Sequence, residues 1–268
     1  MKHTVIKKIL VCKPLYFATL NYAINPWMKP GTIDGKKAMQ QWEELIRIYK
    51  DLDVTIETIG QHKGVPDMVF ATDQGIVKGN TVLMSHFRHP ERQGETKYYE
   101  KWFTDHGYTI HHLPKHIFFE GNGETYFWND IIFLSTGYRS SEETPQVLEQ
   151  IFDREVVPVH VIDPEFYHLD MSFLPINKET VFYYPEAYDE QTQRILKERI
   201  PNLVEFSRGE VEGFAANSVV TDHHVVVQSG NKTFEEKLHK LGYEIHPVDL
   251  SEFKKSGGGI HCLTNILE

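Results

Sequence analysis

At 268 residues and 31.2 kDa the chain is long enough to bury a large core, as one sizeable domain or two modest ones. A composition of 40% hydrophobic, 25% charged and 12% aromatic residues excludes a disordered main state. A formal net charge of −10 argues against nucleic acid or an acidic membrane surface as partner, since both need a basic footprint, and suits an enzyme with a cationic ligand.

The first expected strand is TVIKKILVC (4–12), followed by a helix over GKKAMQQWEELIRIYKDL (35–52) with Met39, Trp42, Leu45, Ile46 and Tyr49 on one face. Strands follow at DVTIETI (53–59), MVFAT (68–72) and NTVLMS (80–85), then a helix over ETKYYEKWFTDHG (95–107). TIHHLP (109–114) and DIIFLST (130–136) read as strands, TPQVLEQIFDR (144–154) as a helix, and VVPVHVI (156–162) and TVFYYP (180–185) as strands again. The last elements are a helix over EQTQRILKERI (190–200), the run SVVTDHHVVVQS (218–229), a helix over NKTFEEKLHKLG (231–242) and the strand YEIHPVD (243–249). Gly107 and Gly242 close their helices in the manner of a C-cap. This alternation makes the class α/β, and no proline- or serine-rich linker divides the chain, so one domain over 1–268 is expected.

An internal repeat sharpens the expectation. FATDQGIVKGNTVLMS from Phe70 answers FAANSVVTDHHVVVQS from Phe214 at an offset of 144, with Asp73 opposite Asn217, and HGYTIHHL answers LGYEIHPV. Strand, strand, helix, strand therefore recurs, which favours a pseudo-symmetric ring with corresponding strand ends turned to one central cleft, Asp73 among them.

Cys12 and Cys262 are too few for a disulfide framework, and no CxxC pair offers a zinc site. Lysines interrupt the N-terminal apolar run and Pro14 ends it before an export signal is complete. No stretch approaches the roughly 20 apolar residues of a membrane span, so a reducing, cytoplasmic compartment is expected. The histidine doublets His111–His112 and His223–His224 point to opposite sides if they lie on strands, so neither is read as a chelating face. PGTIDGKK is one residue short of a phosphate loop and reads as a turn.

Cys262 follows three consecutive glycines, Gly257–Gly259. It reads either as a core plug behind a turn or as a nucleophile, and the glycines favour the second, because they let backbone approach a ligand closely. His168 and Asp170 in YHLD face one side if they lie on a strand, although a solvated hairpin edge has the same pattern. Glu120 and Glu124 flank a glycine turn after two phenylalanines, as caged acids or as ordinary turn carboxylates. Asp67 after Pro66 reads most simply as a turn residue. One thiol, one histidine and several carboxylates around a cleft would suit a guanidinium, held by paired carboxylates and attacked at its central carbon.

The ordered set NPWM, PDMVF, RQGE, FEGNGE, GYRS, YHLD and GGGIHC resembles the guanidine-modifying enzymes of the pentein superfamily. These comprise arginine deiminases, dimethylarginine dimethylaminohydrolases, arginine dihydrolases and amidinotransferases. The resemblance implies a five-bladed α/β propeller of ββαβ units and a hydrolase that cleaves a guanidino C–N bond, giving citrulline from arginine, without cofactor or metal. It implies Cys262 as nucleophile, His168 as general acid and base, and Glu120 as the group that orients His168. Asp73 and Asp170 would grip the guanidinium, Arg92 and Arg139 an amino-acid carboxylate, and Asn25 would contact substrate from a lid, with Asp67 in support. The dihydrolases carry asparagine where this chain has Asp73, and the usual aspartate of FEGxGD is Glu124 here. Amidine transfer, a dihydrolase outcome giving ornithine, and a non-catalytic arginine sensor are the other readings. A small guanidino substrate is the expected partner, with room for a homo-oligomer.

Overall fold

The computed structural model describes residues 5–268, so Thr4, the first residue of the opening strand as read from sequence, lies outside the described residues. In chain order come β1 (Lys8–Cys12), α1 (Gly35–Asp51), β2 (Thr55–Ile59), β3 (Gly75–Lys78), β4 (Thr81–Met84), α2 (Pro90–Gln93), α3 (Thr96–Asp105) and β5 (Thr109–His111). Next are β6 (Thr125–Trp128), β7 (Ile131–Thr136), α4 (Thr144–Phe152), β8 (Glu155–His160), β9 (Phe173–Pro175), β10 (Thr180–Tyr183), α5 (Glu190–Arg199) and β11 (Asn202–Glu205). The chain finishes with α6 (Arg208–Glu212), β12 (Val219–Thr221), β13 (His224–Gln228), α7 (Lys232–Lys240), β14 (Glu244–Val248), α8 (Ser251–Lys254) and β15 (Asn265–Ile266).

Among the described residues these strands form five three-stranded sheets: β15-β1-β2, β3-β4-β5, β6-β7-β8, β9-β10-β11 and β12-β13-β14. In each, the first strand runs antiparallel to the second and the second parallel to the third. A parallel neighbour needs a crossover, and one long helix supplies it in every unit: α1, α3, α4, α5 and α7. This is the five-bladed α/β propeller of ββαβ units. Its first blade is closed by both ends of the chain, because Ile9 pairs with Ile266 and Leu10 with Asn265.

Each crossover helix has a local reason to form. Asp34 caps α1 by accepting from the backbone N–H groups of Lys36 and Lys37 at 2.9 and 3.1 Å. The helix then buries Ala38, Trp42, Leu45, Ile46 and Tyr49 against its blade, while Met39 remains half-buried. Gly107 and Gly242 follow α3 and α7 with φ of +80° and +85°, the left-handed geometry expected of them.

Three readings from sequence are corrected. MVFAT is not a strand but parts of two 3₁₀ turns, Pro66–Val69 and Ala71–Gln74, both wholly buried. Pro66 occupies the first turn position, and enclosure on every side made the apolar run look like a central strand. His168 and Asp170 do not lie on a strand: Asp170 sits in a 3₁₀ turn, Leu169–Met171, that His168 caps. His223 belongs to a hairpin turn opened by Asp222 at φ +50°, and its ring stands 4.0 Å from that of His224, so this doublet does share a side. Strands β3, β6, β9, β11 and β15, of two to four residues, carry too little alternation to be read in advance.

Candidate active site

The segments just before the first strand of each blade meet at the centre. Asp73 stands two residues before β3, Glu124 one before β6, Asp170 three before β9, Asn217 two before β12 and Cys262 three before β15. All five are buried. One narrow cavity is lined by Asn25, Asp67, Asp73, Arg92, Arg139, His168 and Cys262, so thiol and imidazole, 94 residues apart in sequence, face a common space.

The triple glycine is explained by what each position touches. Gly257 has φ +82°, and a β-carbon on it would stand 2.8 Å from the Tyr167 hydroxyl. On Gly258 it would enter the Phe70 ring at 2.1 Å, and on Gly259 it would meet Asn217 Oδ1 at 2.7 Å. Only bare backbone lets the chain pass Phe70 and deliver Cys262 to the axis. Gly123 does the same for the opposite wall, since its β-carbon would lie 2.5 Å from Asp73 Oδ1 and 2.9 Å from His168 Nδ1.

Asn217 brackets the cysteine. Its Nδ2 donates to Cys262 Sγ at 3.1 Å, and its Oδ1 accepts from the Cys262 backbone N–H at 3.2 Å. The thiol in turn donates to Asp170 Oδ2 at 3.4 Å. His261 Nδ1 lies 2.9 Å from the same Asp170 oxygen, fixing the carboxylate from behind. Burial, followed by the charges of Asp170 and Asp73, pushes the Cys262 thiol well above its ordinary value. The resting sulfur is therefore protonated.

His168 Nε2 lies 2.9 Å from Glu120 Oε2. Burial opposes ionisation of Glu120, but the Arg139 guanidinium, 2.9 Å away, and His168 outweigh it and hold this carboxyl well below the usual range. An ionised Glu120 keeps the proton on Nε2 and leaves Nδ1 facing Asp73 Oδ1 at 3.7 Å. Glu124 behaves in the opposite way. It accepts from Ser135 Oγ, and burial, then repulsion by Glu120, raises it well above the carboxylate range, so it is a neutral acid. Buried and lacking any hydrogen-bond partner are Asp73 Oδ1, Asp170 Oδ1, Glu120 Oε1 and Glu124 Oε1. The three acceptors on Asp73, Asp170 and Glu120 call for a cation with several N–H groups.

Both arginines line the cavity but are already engaged. Arg92 donates to Asp73 Oδ2 at 2.7 Å, to both oxygens of Glu95 at 3.1 and 3.0 Å and to the Asp67 carbonyl at 3.3 Å, with its plane over Phe87. Arg139 donates to Glu120 and to the Ile24 carbonyl at 3.1 Å and lies over Tyr167, which leaves more of its five donors unused. Asn25 holds the tight turn above them, donating to the Tyr167 hydroxyl and the Ser256 carbonyl and accepting from the backbone of Trp27 and Met28. Asp67 accepts from Tyr22 at 2.8 Å and Ser256 at 3.0 Å, tying the 22–28 segment to the blade below.

Every residue singled out in the sequence thus borders the cavity or touches one that does. Sequence reasoning missed Asn217 and His261. The first had a signal, because the repeat sets it opposite Asp73, whereas nothing in the sequence marks His261 apart from adjacency to the thiol.

This geometry agrees with what the chain resembles. Residues 16–267 match the family described as N,N dimethylarginine dimethylhydrolase, eukaryotic. The chain belongs to that family, within the guanidine-modifying pentein superfamily. The bifunctional arginine dihydrolase/ornithine cyclodeaminase ArgZ of Synechocystis is 36% identical over 264 residues, covering 96% of this chain and 37% of that protein. The chain therefore spans little more than a third of that relative's length. The N(G),N(G)-dimethylarginine dimethylaminohydrolase of Mycobacterium tuberculosis is 30% identical over 262 residues, covering 96% of this chain and 85% of that one. The crystal structure of the N-terminal domain of cyanobacterial ArgZ, in a variant covalently bound to a reaction intermediate, superposes with a TM-score of 0.93 at 33% identity and covers 97% of this chain and 99% of that one.

Proposed function

We propose that the chain is a hydrolase that cleaves a C–N bond of an arginine-like guanidinium through a covalent thiouronium on Cys262. The observation that carries this reading is a thiol and an imidazole facing one cavity whose wall presents the unpartnered Asp73 Oδ1, with Asp170, whose Oδ1 is also unpartnered, hydrogen-bonded to the thiol behind it. Those two carboxylates grip the planar cation from either side. Its positive charge reverses the field that keeps the sulfur protonated, so substrate generates its own nucleophile. Cys262 Sγ then bonds to the central carbon, and the thiol proton passes to the buried carboxylates. His168 delivers a proton to the departing ammonia or amine as its C–N bond breaks. Water next loses a proton to His168 and bonds to the same carbon. The S–C bond breaks, leaving a ureido product and the free thiol. Proton transfer of this kind contributes about 10²–10⁴-fold. A thiol that must stay reduced fits the cytoplasmic compartment expected from composition, and no described helix is long and apolar enough to cross a membrane.

Arg139, with donors to spare, takes the substrate α-carboxylate, while Arg92 acts mainly by neutralising Asp73 and Glu95. Asn25 closes the entrance. The whole reaction is contained in a single domain over 1–268.

The test is product analysis with arginine and Nω-methylated arginines. Cys262→Ala is expected to release no ureido product while still binding arginine, and turnover by that variant would end the proposal. A second reading, hydrolysis past citrulline to ornithine, is favoured by the higher identity to an arginine dihydrolase than to a dimethylarginine hydrolase. Asp73 favours stopping at the ureido product, because its charge holds the guanidinium that citrulline no longer has. Asp73→Asn is expected to lower guanidinium binding and to raise the ornithine-to-citrulline ratio. An unchanged ratio by amino-acid chromatography would remove Asp73 as the determinant.

A further inference from the structure

The outer end of the fifth blade carries a cluster that the proposed chemistry leaves unused. Strands β13 and β14 pair in parallel with His224 beside Glu244 and Val226 beside His246. Residues two apart on a strand share a face, so Glu244 and His246 stand together, and the pairing brings His224 onto the same face. His246 Nε2 lies 3.0 Å from His224 Nδ1. Glu244 reaches both, with Oε2 at 3.6 Å from His224 Nδ1 and Oε1 at 3.9 Å from His246 Nε2. The left-handed Asp222 folds His223 back over this face, so that donor atoms of His223, His224 and Glu244 all lie within 4.8 Å of one another.

We infer that His224, His246, Glu244 and His223 form a surface binding site for a divalent transition-metal ion, Zn²⁺ being the reference occupant. Two nitrogens bound to one such ion at about 2.0–2.1 Å stand about 2.9–3.4 Å apart, depending on geometry, and the His224–His246 spacing falls in that range. Three imidazoles and one carboxylate without a thiolate suit Zn²⁺, Ni²⁺ or Co²⁺ and not the oxygen-seeking Ca²⁺ or Mg²⁺. An acidic group lies behind the cluster: Asp222 Oδ2 is 2.8 Å from His223 Nδ1. Asn217, which holds the catalytic thiol, is two residues before β12, whereas His223 is two after it. At about 3.3 Å per residue the six residues from Asn217 to His223 span at most roughly 20 Å, and the cluster lies at the far end of β12 from the reacting centre. Its ion would clamp the hairpin turn to β14 and take no part in the chemistry.

Titration calorimetry of Zn²⁺ into the full chain carrying Cys262→Ser, which removes the competing thiol, tests the assignment. One equivalent is expected to bind and to raise Tm. Adding His224→Ala or His246→Ala to that chain is expected to weaken binding by about tenfold or more and to abolish the Tm rise. With Cys262 intact, His224→Ala should retain wild-type ureido release, which reports that the variant is folded. No binding to the Cys262→Ser chain, or undiminished affinity after His224→Ala, would overturn the inference.

Discussion

Glu120 and Glu124 are four residues apart, both wholly buried and both beside His168, yet they hold opposite charge states. The difference is one cation: Arg139 contacts Glu120, whereas Glu124 meets a serine hydroxyl and the repulsion of its neighbour. A raised folded value means that the folded protein keeps a proton the unfolded chain releases. The stability from Glu124 is then fully present below the ordinary carboxylate value and is lost as pH rises through its folded value. Glu124→Gln is expected to leave Tm near wild type in acid, where both side chains are neutral, and to flatten the fall of Tm as pH rises above the ordinary carboxylate value in a Tm-versus-pH series. For Glu120 the folded value is depressed, so its contribution is present above the ordinary value and lost in acid. Glu120→Gln strands the buried Arg139 charge and should cost about 3–5 kcal/mol in denaturant unfolding, with loss of kcat as His168 loses its orienting partner. Equal effects of the two substitutions would contradict the charge assignment. The sequence displayed both carboxylates around one glycine turn. It did not display the sign of their difference, because Arg139 approaches from another segment.

At the scale of elements, function sits in short turns and the strands and helices aim them. Alternation and helical spacing revealed the second strand of every blade, the third strand of all but the fourth, and all five crossover helices, since each is long enough to show a period. The turns before the first strands have three or four residues and no period, and one of them, MVFAT, was misread for that reason. The glycine run is the exception, because its residue type alone declares a close approach. Gly258→Ala would drive a methyl group into the Phe70 ring. It is expected to destabilise by about 1–3 kcal/mol and to lower kcat more than it raises KM, as Cys262 is pushed off the axis. A Gly258→Ala chain with unaltered unfolding midpoint and kcat would show that the contact yields without consequence.

The whole molecule is a ring closed by a two-residue strand. β15 covers one edge of β1, while Asn265 Nδ2 donates to the Ala71 and Gly75 carbonyls of the next blade at 2.9 and 3.2 Å. Removing residues 265–268 uncovers Ile9 and Leu10 and takes the Asn265 donor from the Ala71 and Gly75 carbonyls. The truncated chain is expected to lose cooperative unfolding by circular dichroism and all ureido release, although every proposed catalytic residue is still present. Retained cooperativity would mean that the ring does not depend on its closure.

The α/β class, the repeated unit and the residue types of the site are properties of the sequence by itself, because periodicity, glycine runs and carboxylate-rich motifs are local. The tertiary structure alone decided that Asn217 and His261 flank the thiol, that Arg92 and Arg139 are largely engaged by buried carboxylates, and that Glu124 is neutral where Glu120 is charged. The physical reason is common to all three. Charge state and hydrogen-bond partnership in a buried cluster depend on which atoms lie within a few ångströms, and here those atoms come from five blades separated along the chain.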